Sequence, residues 1–113
     1  GGCILAGVQI SVNALFQRTA QLPQIELAVP PTFMGMDTVS QIQIGGLLGY
    51  IGSIEYLIRN TKAELQNGDK AKVVATGGLA RLVAENTSVI DVVDGGLILD
   101  GLVSIYDKYK KSR

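Results

Sequence analysis

Residues 72–86, Lys72-Val73-Val74-Ala75-Thr76-Gly77-Gly78-Leu79-Ala80-Arg81-Leu82-Val83-Ala84-Glu85-Asn86, decide the fold class. Val73, Val74 and Thr76 are β-branched and suit a pleated strand. Gly77-Gly78 ends that strand in a tight turn. Leu79, Leu82 and Val83 then recur at the spacing of one helix face. Downstream, residues 89–93 read as a second short strand and Asp94-Gly95-Gly96 as a turn. Leu99, Leu102, Val103, Tyr106 and Tyr109 mark a final amphipathic helix. Strands alternating with helices predict an α/β domain with a parallel or mixed sheet.

Working upstream, Asn67-Gly68-Asp69 carries helix-stop and turn chemistry. It closes a long helical pattern over residues 39–65, in which Ile44, Leu47, Leu48, Ile51, Ile54, Leu57, Ile58 and Leu65 form a broad apolar surface. Thr38-Val39-Ser40-Gln41 matches a capping box, so the helix is expected to start with Thr38 as its cap. Glycines at 45, 46, 49 and 52 each cost about 1 kcal/mol against alanine in a helix interior. Gly45, Gly49 and Gly52 fall on one face, which implies a closely packed neighbour from the same domain or from a second subunit. Residues 22–35 contain Pro23, Pro30 and Pro31 and read as a connecting segment. At the start of the chain, residues 2–10 are apolar and predict a buried strand ending near Ala6-Gly7. Ser11 then opens a helix with Val12, Leu15, Phe16 and Thr19 on its inner stripe, stopped by Pro23.

Composition narrows the function. With 113 residues, 47% of them hydrophobic and 18% charged, the chain reads as one folded domain with an aliphatic core. Ten basic and ten acidic residues leave no net charge and no field to gather phosphates, which argues against nucleic acid as a partner. Lys108, Lys110, Lys111 and Arg113 cluster at the end, as cations do at a helix C-terminus. The absence of histidine closes the imidazole routes to metal binding and general-base catalysis. Cys3 has no partner for an internal disulfide, lies in an apolar run and is expected to be inert, in keeping with a reducing cytoplasm. The apolar stretch 42–58 is interrupted by Gln43, Ser53 and Glu55 and does not suit a membrane span.

Two places have the right residues for ligand contact. Gly77-Gly78 joins a strand to a helix, where missing side chains let a ligand reach backbone amides, although neither a Walker A nor a G-x-G-x-x-G spacing is present. Asp37 and Thr38 stand at the start of the long helix, where free amides attract anions and a hydroxyl can bond a ligand. Asp91, Asp94 and Asp100 have no metal-loop spacing and read as turn and cap residues.

The ordered segments GGCILAGVQISVNALFQRTAQLP, GMDT ahead of a glycine-studded helix, VVATGGLA and LILDGLVSIYDKYK resemble, over nearly the whole chain, the C-terminal part of type III pantothenate kinases. The resemblance rests on Gly1-Gly2, Ala14-Leu15, Thr19-Ala20, Leu22-Pro23, Gly35-x-Asp37-Thr38 and Gly101-Leu102. It implies an actin-like ATPase (ribonuclease H-like) C-terminal domain over residues 1–113, lacking the N-terminal domain and the first strands, with the long helix at a homodimer interface. It further implies phosphorylation of pantothenate by ATP, the first step of coenzyme A synthesis, with a divalent cation (Mg) and a monovalent cation (K or ammonium). Thr38 then matches the pantothenate-contacting threonine, with the substrate carboxylate expected near the helix start, and Gly77 and Gly78 match the glycines beside the adenosine of ATP. The family's Asp-x-Gly-Asn-Thr, Gly-Ala-Asp-Arg and Asp-x-Gly-Thr motifs are not among these residues, so no catalytic or metal-binding residue is assigned and this segment alone is expected to be inactive. Ala6-Gly7 stands where the family has Pro-Gly. The alternative is a dimerising accessory module akin to transcription accessory factors.

Overall fold

The computed structural model describes residues 1–18 and 26–112. Their contacts divide the chain into two compact units, Gly1–Leu57 and Ile58–Arg113.

In the first unit, helix α1 spans Val8–Arg18. The expected strand before it does not form. Gly1 to Ala6 are exposed, and among the described residues no strand pairs with them. An extended segment needs a ladder for its backbone groups, and without one the apolar run turns directly into the helix, where the Ser11 amide donates to the Gly7 carbonyl at 3.0 Å. The inner face of α1 is Val8 and Val12, both buried, whereas Leu15 is half exposed. Thr19 and the Pro23 stop lie outside the described residues.

The long helical pattern is continuous but not uniform. Helix α2, Thr38–Gln43, leads into a π-helical turn, Ile44–Leu48, and then into α3, Gly49–Glu64. The π-turn contains Gly45 and Gly46, and the Gly49 amide reaches back to the Ile44 carbonyl in the wider π spacing. α1 packs against this turn. Leu47 and Ile51, one helical turn apart, complete the buried core with Val8 and Val12. Each such side chain contributes roughly 1.5–3 kcal/mol on burial. A Cβ added to Gly46 would lie 2.7 Å from Val12 Cγ2, so glycine is what lets the two segments meet. On the face expected to be crowded, a Cβ at Gly45 or Gly52 meets nothing within 4 Å. The close approach therefore uses Gly46 instead.

In the second unit, α3 stops before Asn67, which takes a left-handed conformation with φ 59°, and Gly68–Lys70 forms a 3-10 turn. Gly68 is buried, and a Cβ there would fall on the Lys62 carbonyl. Strand β1, Val74–Ala75, helix α4, Ala80–Glu85, and strand β2, Val92–Val93, follow in the order read from the sequence. β1 and β2 pair in parallel with Val74 opposite Val92 and Ala75 opposite Val93. The strands are shorter than expected, but the ladder is extended by one side chain and by flanking backbone groups. Asp91 Oδ2 accepts the Val73 amide at 2.7 Å, while the amides of Asp91 and Asp94 donate to Val73 and Ala75 at 2.9 Å. Ala80 and Val83 are buried. This α/β arrangement with a small parallel sheet agrees with the sequence reading.

Helix α5, Leu97–Lys111, ends with Lys108, Lys110 and Lys111 in its last turn, as the tail composition implied. Its apolar stripe is not buried: Leu99, Leu102, Val103, Tyr106 and Tyr109 are all exposed. Leu65, expected in the core, is exposed as well.

Candidate functional site

The best-defined polar constellation is the loop and first turn that lead into α2. Asp37, not Thr38, is the helix cap. Its backbone is extended (φ −134°, ψ 165°), and its Oδ1 accepts the Ser40 amide at 2.8 Å. The Asp37 amide in turn donates to Ser40 Oγ at 3.4 Å, which completes a capping box one residue earlier than Thr38-Val39-Ser40-Gln41 suggested. A charged carboxylate satisfies a free helix amide more strongly than a threonine hydroxyl, so the register shifts to aspartate. Gln41 is freed from the cap and uses its side-chain Nε2 to donate to the Gly35 carbonyl at 3.1 Å.

The loop lies tightly on this turn. A Cβ at Gly35 would stand 2.8 Å from the Gln41 amide nitrogen and 2.9 Å from Ser40 Oγ. Just before it, the Met34 amide donates to Thr32 Oγ1 at 3.0 Å. Phe33, Met34 and Met36 project outward, 82%, 74% and 89% exposed, which makes this a largely apolar rim. By its prolines, the stretch 22–35 is marked only as a connection. The FMGM run held the signal, since exposed large apolar side chains in a short loop are unusual away from a contact surface.

Thr38 occupies the first helical position and is exposed, and its hydroxyl has no hydrogen-bond partner among the described residues. It is free to bond a ligand. The Asp37 carboxylate beside it accepts the Ser40 amide, and like charge disfavours a second anion close to it.

The Gly77-Gly78 turn belongs to the other unit. Gly77 has φ +108°, a conformation that glycine adopts readily and L side chains resist. A Cβ at Gly77 or Gly78 meets nothing within 4 Å, so the backbone is open to an approaching group. No side chain caps α4. Asp91 and Asp94 act as the sequence suggested, as local structural groups: Asp91 holds the Val73 amide and Asp94 Oδ1 accepts the Gly96 amide at 3.0 Å. Cys3 is exposed, not part of a buried strand. Among the described residues no group of three or more His, Cys, Asp or Glu side chains could hold a metal ion. Among the same residues no helix is long and apolar enough to cross a membrane.

The face of α3 that carries Gly49 and Gly52 opens into a shallow hollow lined also by Leu5, Ser53, Tyr56 and Leu57. A family model described as type III pantothenate kinase matches residues 1–60, which include this face, the π-turn and the Asp37-Thr38 turn. The chain belongs to the type III pantothenate kinase family. A type III pantothenate kinase from an Exiguobacterium species is 46% identical over 111 residues, covering 98% of this chain and 42% of the relative. The chain thus spans less than half the length of that type III pantothenate kinase. Gly77 and Gly78 lie beyond the family match, whereas Gly35 and Thr38 lie inside it. Both matches carry the kinase name, and neither points to a transcription accessory factor.

Proposed function

We propose that the full-length protein carrying this sequence is a cytoplasmic, ATP-dependent pantothenate kinase that transfers the γ-phosphate to the hydroxyl of pantothenate, forming 4'-phosphopantothenate for coenzyme A synthesis. Family membership supports the reaction class. The single observation that carries the substrate assignment is the exposed Thr38 hydroxyl, unpartnered among the described residues, on a turn braced from both sides. In this reading Thr38 bonds a neutral polar group of pantothenate, and the apolar rim of Phe33, Met34 and Met36 shields that contact from water. Gly77 and Gly78 let the adenosine side of ATP approach backbone that no side chain covers.

Phosphoryl transfer depends on positioned charge around the transferring group. Among the described residues no group of three or more His, Cys, Asp or Glu could hold a metal ion, and in this reading the groups that hold Mg, the monovalent cation (K or ammonium) and the phosphates belong to parts of the protein outside these residues. Residues 1–113 act as its C-terminal, actin-like domain, inactive alone, and contribute one wall of the pantothenate site. The open face of Gly45, Gly49 and Gly52 is the proposed homodimer contact, because side-chain-free positions let two helices approach closely. The test is ATP-dependent phosphorylation of pantothenate by the full-length protein, with and without potassium. Cation-dependent formation of phosphopantothenate is expected, and no turnover under either condition rejects the reading.

A further inference from the structure

The helix cap of α2 is complete without Gln41, because Asp37 and Ser40 satisfy each other's backbone groups. Gln41 instead spends its side-chain amide on a carbonyl outside the helix, that of Gly35, at 3.1 Å. The same side chain also lies against the loop, its Cγ 2.9 Å from where a Cβ on Gly35 would stand, with the Gln41 backbone nitrogen at 2.8 Å. Gly35 to Asp37 is therefore tied at both ends, by Gln41 at the loop side and by Ser40 at the helix side. The next residue is Thr38.

We propose that Gln41 is a positioning residue for substrate binding: its amide fixes the Gly35 carbonyl on the first turn of α2 and so presents the Thr38 hydroxyl in one orientation before the substrate arrives. The inference rests on the reading of Thr38 as a pantothenate contact. A loop already ordered loses less freedom on binding, so the effect falls on substrate affinity and not on the phosphoryl-transfer step. Gln41 touches no reacting atom.

The test uses steady-state kinetics of the full-length protein. Gln41→Met keeps the length of the side chain and removes the donor without adding charge. Its pantothenate KM is expected to rise about three- to tenfold, the range of one neutral hydrogen bond, with kcat and the ATP KM changed by less than about twofold. Gln41→Glu also removes the donor but adds a charge that favours a helix start, so its thermal midpoint is expected to hold while its pantothenate KM rises. A merely structural role predicts the reverse. In Thr38→Val, adding Gln41→Met is expected to raise KM no further, since Gln41 acts through Thr38. An unchanged KM in Gln41→Met beside a raised KM in Thr38→Val overturns this inference and leaves the Thr38 reading standing. An unchanged KM in Thr38→Val overturns both.

Discussion

Replacing Gly46 with alanine puts a methyl group 2.7 Å from Val12 Cγ2. Val12 is 2% exposed, in the same core as the buried Val8, Leu47 and Ile51, so it has little room to retreat. Overpacking of this kind costs about 1–3 kcal/mol, against a gain of about 1 kcal/mol from removing a glycine within a helix. The net expectation for Gly46→Ala is a loss of up to about 2 kcal/mol. Val12→Ala removes the obstructing methyl groups and by itself costs about 1.5–3 kcal/mol. In that background the sign of the Gly46 change reverses. Gly46→Ala is then expected to stabilise by about 1 kcal/mol, giving a coupling of roughly 1–3 kcal/mol between the two sites. Urea unfolding of the full-length protein, followed by circular dichroism at one fixed concentration, reads all four corners of the cycle. If Gly46→Ala stabilises the unaltered protein, or has the same effect with and without Val12, the packing of α1 on the π-turn described above is refuted.

Other substitutions separate the remaining assignments. Thr38→Val is expected to raise the pantothenate KM about three- to tenfold through loss of one hydrogen bond, and steady-state kinetics at saturating ATP measure it. Gly78→Val puts a branched side chain on the open turn and is expected to weaken ATP binding far more than pantothenate binding; equal effects on the two in calorimetric titration contradict the assignment. Asp37→Ala removes the cap and is expected to cost about 1 kcal/mol, read as a lowered urea midpoint, whereas Asp37→Asn retains most of the stability.

Much of the second unit was legible in the sequence. The order of β1, α4, β2 and α5 follows from local chemistry: β-branched residues, glycine turns and a helical repeat at Leu79, Leu82 and Val83. Asn67-Gly68 was legible as a helix stop for the same reason, since one residue takes a positive φ and the other has no room for a Cβ. The candidate site was partly legible. Gly35-x-Asp37-Thr38 located the turn, but hydroxyl and carboxylate stood side by side as candidate caps. Only the extended backbone at Asp37 and its bond to the Ser40 amide decided between them. The spacing of Gln41 from Thr38 fits a cap partner, but its actual bond runs to a loop residue that no helix pattern includes.

The sequence by itself determined the α/β class, the helix and strand order and the polar turn at Asp37-Thr38, because these depend on neighbours within a few positions. The tertiary structure decided which apolar faces are buried. Periodicity marks a stripe on α5 as suited to burial, but burial also needs a surface opposite, and Leu99, Leu102, Val103, Tyr106 and Tyr109 remain exposed. Residues 2–10 have the composition of a strand, yet a strand exists only with a hydrogen-bonded partner, so the segment enters α1 instead. Among four helical glycines at 45, 46, 49 and 52, spacing chose the face of Gly45, Gly49 and Gly52, whereas the π-turn brought Gly46 against Val12. A repeat in the sequence reports which residues share a face; the distance to the next side chain is set by where the rest of the chain comes to lie.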